Sequence, residues 1–322
     1  MSGRSRYRDT QGSGPARYRV AVLDLNRGIP NEGMRSIRTL LSTASSDDGR
    51  GIDVDVFEVR LEGAVPGLGY DAYISSGGPG SPFAGEGSEW ERRYFEWMHA
   101  LCDLRQESPE DAGSALFICH SFQLMCRAFG LARITRRRKA AFGIYEVALT
   151  GVGMQDPLLQ GLHARIHAAD FRKWQAVHPD RNRLRELGGR IIALEKERPH
   201  VDLERAVMGI RLGAGQISAG DASDHADDGS PGFVGVQFHP EADPVGMRRH
   251  FNRPDKREAV IEEYGEARFE RLLDALDDPD FLIRTYRAII PRFVERALPG
   301  VRLDPDRAMR PAAGEQTEAV RS

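Results

Sequence analysis

The chain contains 322 residues, of which 40% are hydrophobic and 29% are charged, and its formal net charge is −3. A chain of this length and apolar content can bury a large hydrophobic core. The small net charge argues against a general nucleic-acid-binding protein, and the absence of any run of about 18 apolar residues argues against a membrane span.

Short apolar runs alternate with helical patterns in the first half of the chain. Residues 1–17 are polar and Gly-rich and are predicted to form a flexible arm. The apolar spacing of residues 34–41 predicts a helix. Strands are predicted at residues 19–24, 54–59, 73–74 and 116–118. Strands that alternate with helices predict a parallel, doubly wound α/β sheet.

In the second half of the chain, the apolar runs are separated mainly by loops. Strands are predicted at residues 145–149, 190–194, 207–210 and 234–238. Because no long helix separates them, part of the sheet is expected to be antiparallel, which makes the sheet mixed. Residues 218–231 are rich in Asp, Gly and Ser and are predicted to form a mobile loop.

The composition shifts again after residue 247. Helical spacing at residues 257–276 and 281–298 predicts a two-helix appendage. The predicted organisation is therefore an α/β domain followed by a helical appendage and a disordered tail. With the N-terminal arm, the boundaries are 1–17, 18–247, 248–302 and 303–322.

Two strand-like runs, 120 residues apart (239 − 119), end in reactive side chains. Residues 117–123 contain Cys119, and residues 234–241 contain His239 and Glu241. Both runs are expected to end at one edge of the sheet. A thiol, an imidazole and a carboxylate placed together there are the groups of a cysteine nucleophile, its base and the residue that orients the base.

A glycine-rich turn follows another predicted strand. Residues 77–80 read Gly-Gly-Pro-Gly, and glycine allows the backbone to approach a ligand closely and to point an amide at it. Fixed donors of this kind stabilise the oxyanion that develops during acyl transfer. We therefore expect this turn to lie beside the nucleophile.

These segments resemble the three motifs of class I glutamine amidotransferases. The motifs are the turn at residues 77–80, Cys119 with Gln123, and His239-Pro240-Glu241, in the family's order and at about its spacing over residues 18–242. The chain is most similar in type to the stand-alone, GMP-synthase-like amidotransferases. The resemblance implies a flavodoxin-like, doubly wound mixed sheet and the release of ammonia from glutamine through a thioester.

The resemblance also implies a role for each motif residue. Cys119 attacks the side-chain amide of glutamine, His239 transfers the proton, and Glu241 orients the imidazole. The backbone amides of Gly78 and His120 are expected to hold the oxyanion. These five residues form the predicted catalytic centre.

Other residues are expected to line the glutamine pocket. Gln123, Gly77 and Gly80 belong to the matching motifs. His178 lies where relatives often carry a histidine in a loop beside the substrate, and it is interpreted equally as a pocket residue or as a solvated loop histidine. L-glutamine is the expected substrate.

Several alternatives remain open from the sequence. Phe117 and Ser121 stand where the family usually has glycine around the nucleophile, which leaves open a thiol hydrolase or acyltransferase acting on another amide or ester. His120 directly follows Cys119 and could replace His239 as the base, as in other branches of the superfamily. Cys119 could also be a buried core thiol, as free cysteines often are.

Motifs for cofactors do not occur in the sequence. It has no Cys-x-x-Cys or His-Glu-x-x-His spacing and no phosphate-binding loop. We therefore expect no metal or cofactor, and we expect any ammonia acceptor to be activated on a separate synthetase subunit. A catalytically quiet regulatory subunit is the alternative from a different class. The basic run at residues 136–139 is interpreted as a solvated turn or the edge of an anionic-substrate site.

The cysteine content bears on the compartment. The three cysteines include one that the proposed chemistry needs as a thiolate, which favours a reducing environment. Cys102 and Cys126 are expected to be core residues. No apolar signal core follows the basic N-terminal residues, so a cytoplasmic location is expected.

Overall fold

A computed structural model describes residues 17–200, 203–213, 231–278 and 281–310. Most of the predicted N-terminal arm, residues 218–230 of the predicted loop and the end of the predicted tail lie outside these residues. The strands are β1 (Tyr18–Asp24), β2 (Ser45–Ser46), β3 (Ile52–Glu58), β4 (Ala72–Ser75), β5 (Ser114–Ile118), β6 (Ala132–Arg136), β7 (Gly143–Leu149), β8 (Arg165–Asp170), β9 (Trp174–Pro179), β10 (Gly189–Glu195), β11 (Val207–Leu212), β12 (Phe233–Val236) and β13 (Val301–Arg302).

Helices cover both faces of the sheet and much of the C-terminal region. They are α1 (Glu32–Ser42), α2 (Val59–Glu62), α3 (Glu89–Glu107), α4 (His120–Phe129), α5 (Gly151–Gln155), α6 (Arg181–Glu186), α7 (Pro244–Asn252), α8 (Pro254–Tyr264), α9 (Glu266–Asp277), α10 (Leu282–Ala297) and α11 (Pro305–Ala308).

Within the described residues, eleven strands form one mixed sheet. The main order is β3-β1-β4-β5-β12-β11-β10-β7-β8, with β9 pairing with both β11 and β6. The strands from β3 to β12 in this order are parallel, whereas β12, β11, β10, β7 and β8 pair antiparallel. The predicted mixed α/β sheet is therefore confirmed. β2 and β13 form a separate two-stranded ribbon.

Alternating side chains of the parallel strands feed two separate hydrophobic clusters. In β5, Leu116 and Ile118 join one cluster, and Ala115 and Phe117 join the other. Helix α1 packs on the first face, and α3 and α4 pack on the second. Because β5 is buried on both faces, its residues form the continuous apolar run that the sequence shows.

Local caps determine where the long helices begin. Asn31 precedes α1, and its side chain accepts a hydrogen bond from the Met34 backbone N–H. Ser88 caps α3 in the same way through the Glu91 N–H. Such caps satisfy backbone donors that have no partner within the helix.

Strands β6, β8 and β9 were not predicted. Each has polar side chains among its apolar ones, as in the Arg-Ile-His-Ala-Ala-Asp sequence of β8. Neighbouring strands supply the backbone hydrogen bonds that hold these segments, and a polar local sequence does not reveal such pairing. The expectation that His178 lies in a loop is wrong, because His178 belongs to β9.

The C-terminal region differs from the predicted two-helix appendage. The predicted helix over residues 257–276 is divided between α8 and α9 at Gly265, whose φ of 84° and ψ of 156° lie in a region that is essentially restricted to glycine. Helices α7 to α9 pack around Phe251 and Leu272 in a third cluster. Helix α10 instead contributes Ile289 and Phe293 to the first cluster of the main sheet.

The predicted tail also differs from the structure at its beginning. Residues 305–308 form α11, and the Asp304 backbone N–H donates to Thr43 Oγ1 over 3.0 Å. Residues 303–310 are therefore ordered against the α/β sheet layer, not part of a disordered tail. The division of the chain into domains at residue 247, a position inside α7, stays a prediction.

We predict that Phe117→Ala lowers the free energy of unfolding by about 3–5 kcal/mol, because it removes a fully buried aromatic ring. The Phe117 ring lies 6.3 Å from that of Trp97 and 5.9 Å from that of Phe233. Urea denaturation measures the change, and Leu61→Ala is a control because Leu61 is 62% exposed. A loss below about 1 kcal/mol would show that this ring does not stabilise the core.

Candidate active site

Cys119 occupies a strained turn between β5 and α4. Its backbone has φ 51° and ψ −96°, one of the few positive φ values outside glycine. The Cys119 N–H donates to Val236 O over 2.8 Å, and the Gln123 N–H donates to Cys119 O over 3.1 Å. A side chain on such a turn stands at the end of the sheet with a helix beginning behind it. This placement suits a nucleophile.

Ser121 fixes the turn from below. Its Oγ accepts a hydrogen bond from the Ile118 N–H over 2.7 Å and donates to Ser75 O over 2.8 Å. The side chain is fully buried, so these bonds connect the turn to β4 in a dry environment. Ser121 therefore stabilises the turn. A glycine at this position would have no hydroxyl to bond to the Ile118 N–H and to Ser75 O.

His239 and Glu241 form a close pair after β12. His239 Nδ1 lies 2.7 Å from Glu241 Oε1, and the carboxylate is buried. The His239 N–H donates to Ala169 O over 2.8 Å, which attaches the segment to the end of β8. The Glu241 carboxylate thus orients the imidazole ring, and the backbone hydrogen bond to Ala169 fixes the position of His239.

Contacts at Gly77 show how near the thiol and the imidazole are. A Cβ atom added to Gly77 would lie 2.8 Å from His239 Cε1 and 3.7 Å from Cys119 Cβ. Burial lowers the pKa of His239, but the Glu241 carboxylate and the Cys119 thiolate, both hydrogen-bonded to the ring, outweigh burial and raise this pKa well above its usual value. The arrangement therefore favours a protonated His239 ring beside Cys119.

The glycine turn passes close to both groups. At Gly78 an added Cβ would lie 2.6 Å from Leu25 O, so this position accepts only glycine without movement of the backbone. Gly80 has φ 97°. Asn26 Nδ2 donates to Gly77 O over 3.2 Å, and Arg60 Nη1 donates to Pro79 O over 2.6 Å. These two side chains hold the turn in place.

His120 directly follows Cys119, and its side chain is buried. Burial, together with the positive charges of Arg60 and Arg127, lowers the pKa of His120 to about 3. Its side chain is therefore neutral near neutral pH, while its backbone N–H is the first of α4. An amide at the N-terminus of a helix is a suitable donor to an anion.

A buried pair of glutamines connects the thiol to β9. Gln237 Nε2 lies 3.6 Å from Cys119 Sγ. Gln123 Nε2 donates to Gln237 Oε1 over 3.0 Å and to Trp174 O over 3.2 Å. Gln123 was predicted as a site residue, but Gln237 was not. The signal for Gln237 was a polar residue at the end of an otherwise apolar strand.

Phe171 and Asp170 also surround the site without having been predicted. The Phe171 ring centroid lies 5.8 Å from that of His239. Asp170 is buried and lies 3.0 Å from Arg172, measured from Oδ2 to Nε. Burial raises the pKa of Asp170, and the Arg172 charge opposes that rise. Asp170 is the last residue of β8 and Phe171 comes directly after it. They were missed because the sequence did not predict this strand.

His178 is not brought to this cluster by the structure. Trp174, at the start of β9, contacts Gln123, but His178 lies four residues further on, which corresponds to about 13 Å along a strand. Its side chain is 58% exposed and pairs with Glu204. The predicted pocket role of His178 is thus without a supporting contact.

The described part of the chain lacks two other kinds of feature. There, no group of histidine, cysteine, aspartate and glutamate side chains could hold a metal ion. No helix in the same part combines the length and apolar character needed to cross a membrane. Cys102 and Cys126 are free thiols, and burial raises the pKa of both.

Comparisons with known proteins agree with this geometry at the level of the fold. No protein-family model matches the chain, and no curated protein matches it. A glutamine amidotransferase from Thermotoga maritima matches with a TM-score of 0.57 at 16% identity, over 88% of this chain and 99% of that one. A glutamine amidotransferase from Methylobacillus flagellatus matches with a TM-score of 0.51 at 14% identity, over 89% and 96%. The chain therefore has the fold of glutamine amidotransferases, as the motifs predicted.

The low pKa of His120 predicts a specific pH dependence of stability. The unfolded chain binds a proton at His120 below about pH 6.5, whereas the folded chain binds it only near pH 3. Stability is therefore lost as the pH falls below about 6.5, by about 1.4 kcal/mol per pH unit for this group. We expect His120→Gln to remove that part of the slope, measured by urea denaturation at several pH values. Equal slopes for both proteins would contradict the assignment.

Proposed function

We propose that this chain is a class I glutamine-amidotransferase-type thiol hydrolase that releases ammonia from L-glutamine through a thioester on Cys119. The observation that carries the proposal is the meeting of Cys119, on its strained turn, with the His239–Glu241 pair. A cysteine, a base and a group that orients the base are the requirements for nucleophilic acyl transfer. The shared fold supports the same reaction class.

The first step forms the thioester. The Cys119 thiolate attacks the amide carbon of glutamine, a C–S bond forms, and the carbonyl electrons move onto oxygen. The Gly78 and His120 backbone N–H groups would donate to that oxyanion. When the intermediate collapses, the C–N bond breaks, and the imidazolium of His239 gives its proton to the leaving ammonia.

The second step releases glutamate. His239, now neutral, takes a proton from a water molecule as that water attacks the thioester carbon. The C–S bond then breaks, and the thiolate and the imidazolium are restored. Glu241 stabilises the imidazolium at each stage because its buried carboxylate lies 2.7 Å from the ring nitrogen.

The electrostatics favour His239 over His120 as the base. The pKa of His239 is raised by Glu241 and Cys119 against the effect of burial, so this ring can take and hold a proton. His120 has a pKa of about 3, and its ring cannot hold a proton near neutral pH. We therefore assign only its backbone amide to the reaction.

Gln237 and Gln123 are proposed to position the thiolate and the substrate. The Gln237 amide donates toward Cys119 Sγ from 3.6 Å, which would hold the sulfur in position. Gln123 fixes Gln237 and forms one wall of the site. Gly77 and Gly80 would shape the opposite wall, where any side chain at Gly77 would strike His239.

The proposed acceptor of the ammonia lies on another chain. The sequence contains no phosphate-binding loop that could activate an acceptor with a nucleotide. A separate synthetase subunit would supply that activity, and it would receive ammonia from the site formed by Cys119 and His239. This partner is part of the proposal.

We expect Cys119→Ala to lower glutaminase turnover at least ~10³-fold, because the nucleophile is removed. Mass spectrometry after treatment with an electrophilic glutamine analogue should show one label in the parent protein and none in Cys119→Ala. Cys102→Ala is the matched control, since Cys102 is a free thiol that is less buried than Cys119, and this variant should keep both labelling and turnover.

The outcomes separate the competing functions. Labelling that persists in Cys119→Ala would contradict the nucleophile assignment. Labelling at Cys119 without glutaminase turnover would point to another amide or ester as substrate. A parent protein with neither labelling nor turnover would be a regulatory subunit.

We also expect His239→Ala to lower kcat by about 10²–10⁴-fold, the usual range for loss of a general acid and base. Glu241→Gln should cost less, because the imidazole stays but loses its charged partner. His120→Ala should cost least of the three, because the proposed role of His120 uses its backbone. Steady-state glutaminase kinetics at several pH values give this ranking. A larger loss of kcat for His120→Ala than for His239→Ala would show that His120, and not His239, is the general base.

A further inference from the structure

A strongly basic cavity lies between the turn after β6 and helix α9. Its volume is about 460 Å³, and its lining includes Arg137, Lys139, Arg198, Arg268, Arg271 and Tyr264. We call it the arginine cavity. None of the predicted site residues lines it, so it is separate from the cluster around Cys119. Its size lies in the range of small-molecule sites.

The positive charge continues on the other side of the same turn. A neighbouring cavity of about 430 Å³ shares Arg137, Lys139 and Arg198 with the first and adds Arg136 and Arg138. Arg136, Arg138 and Lys139 of the basic run at residues 136–139 are exposed, and the run also borders both cavities. It forms the partition between two concave surfaces.

Carboxylates in the described part of the chain compensate this charge only partly. Glu195 is shared by three guanidinium groups, at 2.9 Å from Arg137, 3.3 Å from Arg172 and 3.0 Å from Arg198. Burial raises the pKa of Glu195, but the surrounding arginines outweigh burial and lower it. Asp170 also pairs with Arg172, at 3.0 Å, so two carboxylates face three guanidinium groups and an excess of one positive charge remains.

Helix α9 adds two more cations to the arginine cavity. Neither Arg268 nor Arg271 makes an ion pair with any residue that the structure describes. Of the five cations, Arg137 and Arg198 already share the Glu195 carboxylate, so an anion in the cavity would chiefly meet the charges of Lys139, Arg268 and Arg271.

The cavity wall is held in a fixed geometry. Ala141 and Arg172 exchange backbone hydrogen bonds of 2.9 and 3.1 Å, and the Arg137 N–H donates to Lys173 O over 2.9 Å. The Arg137 side chain donates to Gln175 Oε1 over 2.7 Å. Binding groups that are already fixed lose little entropy when a ligand arrives.

A series of aromatic contacts connects this wall to the candidate active site. The Tyr264 ring stacks on Phe142 at 6.2 Å, and Phe142 contacts Phe171 at 5.0 Å. Phe171 in turn lies 5.8 Å from His239. Lys139 Nζ lies 5.5 Å above the Tyr264 ring. The arginine cavity is thus two aromatic rings behind the catalytic histidine of the proposed function.

We propose that the arginine cavity is a binding site for a phosphorylated small molecule. Guanidinium groups match phosphate oxygens with two parallel hydrogen bonds, and several of them around one volume suit a phosphate ester or a diphosphate. Arg268 and Arg271 hold the phosphate from α9, and Lys139 holds it from the facing turn. This binding does not require glutaminase activity, so it is tested separately from the proposed function.

Isothermal titration calorimetry of the full chain with inorganic pyrophosphate, and separately with AMP, tests the site. We expect saturable binding with one site per chain. The double variant Arg268→Ala/Arg271→Ala should weaken binding at least tenfold. Arg92→Ala/Arg93→Ala is the matched control, because it removes the same charge from exposed positions on α3, and it should change affinity less than twofold.

A second pair of variants separates geometry from charge. Arg268→Lys/Arg271→Lys keeps both charges but removes the paired hydrogen bonds, so affinity should fall by several-fold. Lys139→Ala tests the opposite wall and serves if the α9 variants fail to fold. Equal weakening by the α9 and α3 double variants, or no saturable binding of either probe to the parent chain, would overturn the proposal.

Discussion

The strained backbone of Cys119 is the constraint on which the rest of the site depends. A non-glycine residue at φ 51° and ψ −96° costs on the order of 1–3 kcal/mol and persists only when its surroundings enforce it. Three hydrogen bonds do so. The Cys119 N–H donates to Val236 O, the Gln123 N–H donates to Cys119 O, and the Ser121 hydroxyl donates to Ser75 O. All are buried, where an unmade hydrogen bond is expensive. The same interactions that hold the strain also direct the thiol to the sheet edge.

Sheet topology then explains why residues so distant in sequence meet. Strands β5 and β12 are parallel neighbours, with Ile118 opposite Val236, so the residues that follow both strands emerge at the same edge. Cys119 follows Ile118 directly, and Gln237 and His239 follow Val236. The bridge from His239 to Ala169 adds β8 to the same edge. A single register between two strands thus assembles the thiol, its glutamine neighbour and the imidazole.

The sequence predicted those parts of the site whose local chemistry is unusual. Reactive residues after buried strands, and glycines where a Cβ would strike Leu25 or His239, leave a clear local signal. Gln237 and Phe171 did not, because their importance comes from neighbours on other elements. Strands β6, β8 and β9 were missed for the same reason, and His178 was assigned to a loop when it lies in β9. Phe117 replaces the expected glycine without blocking the site, because strand alternation directs its ring into the cluster opposite Cys119.

The distribution of charge shows that net charge is a poor guide to which ligands a protein binds. A net charge of −3 argued against polyanionic partners, yet the chain separates its charges in space. The acidic groups Asp170 and Glu241 are buried around His239, whereas the cations of the turn after β6 and of α9 surround a cavity. Salt screening confines the effects of exposed charges to about 8–10 Å at ordinary salt, so the exposed cations around the cavity act mainly on their own surroundings and not through the net charge. The two regions are nevertheless joined by the aromatic contacts that run from Tyr264 through Phe142 to Phe171.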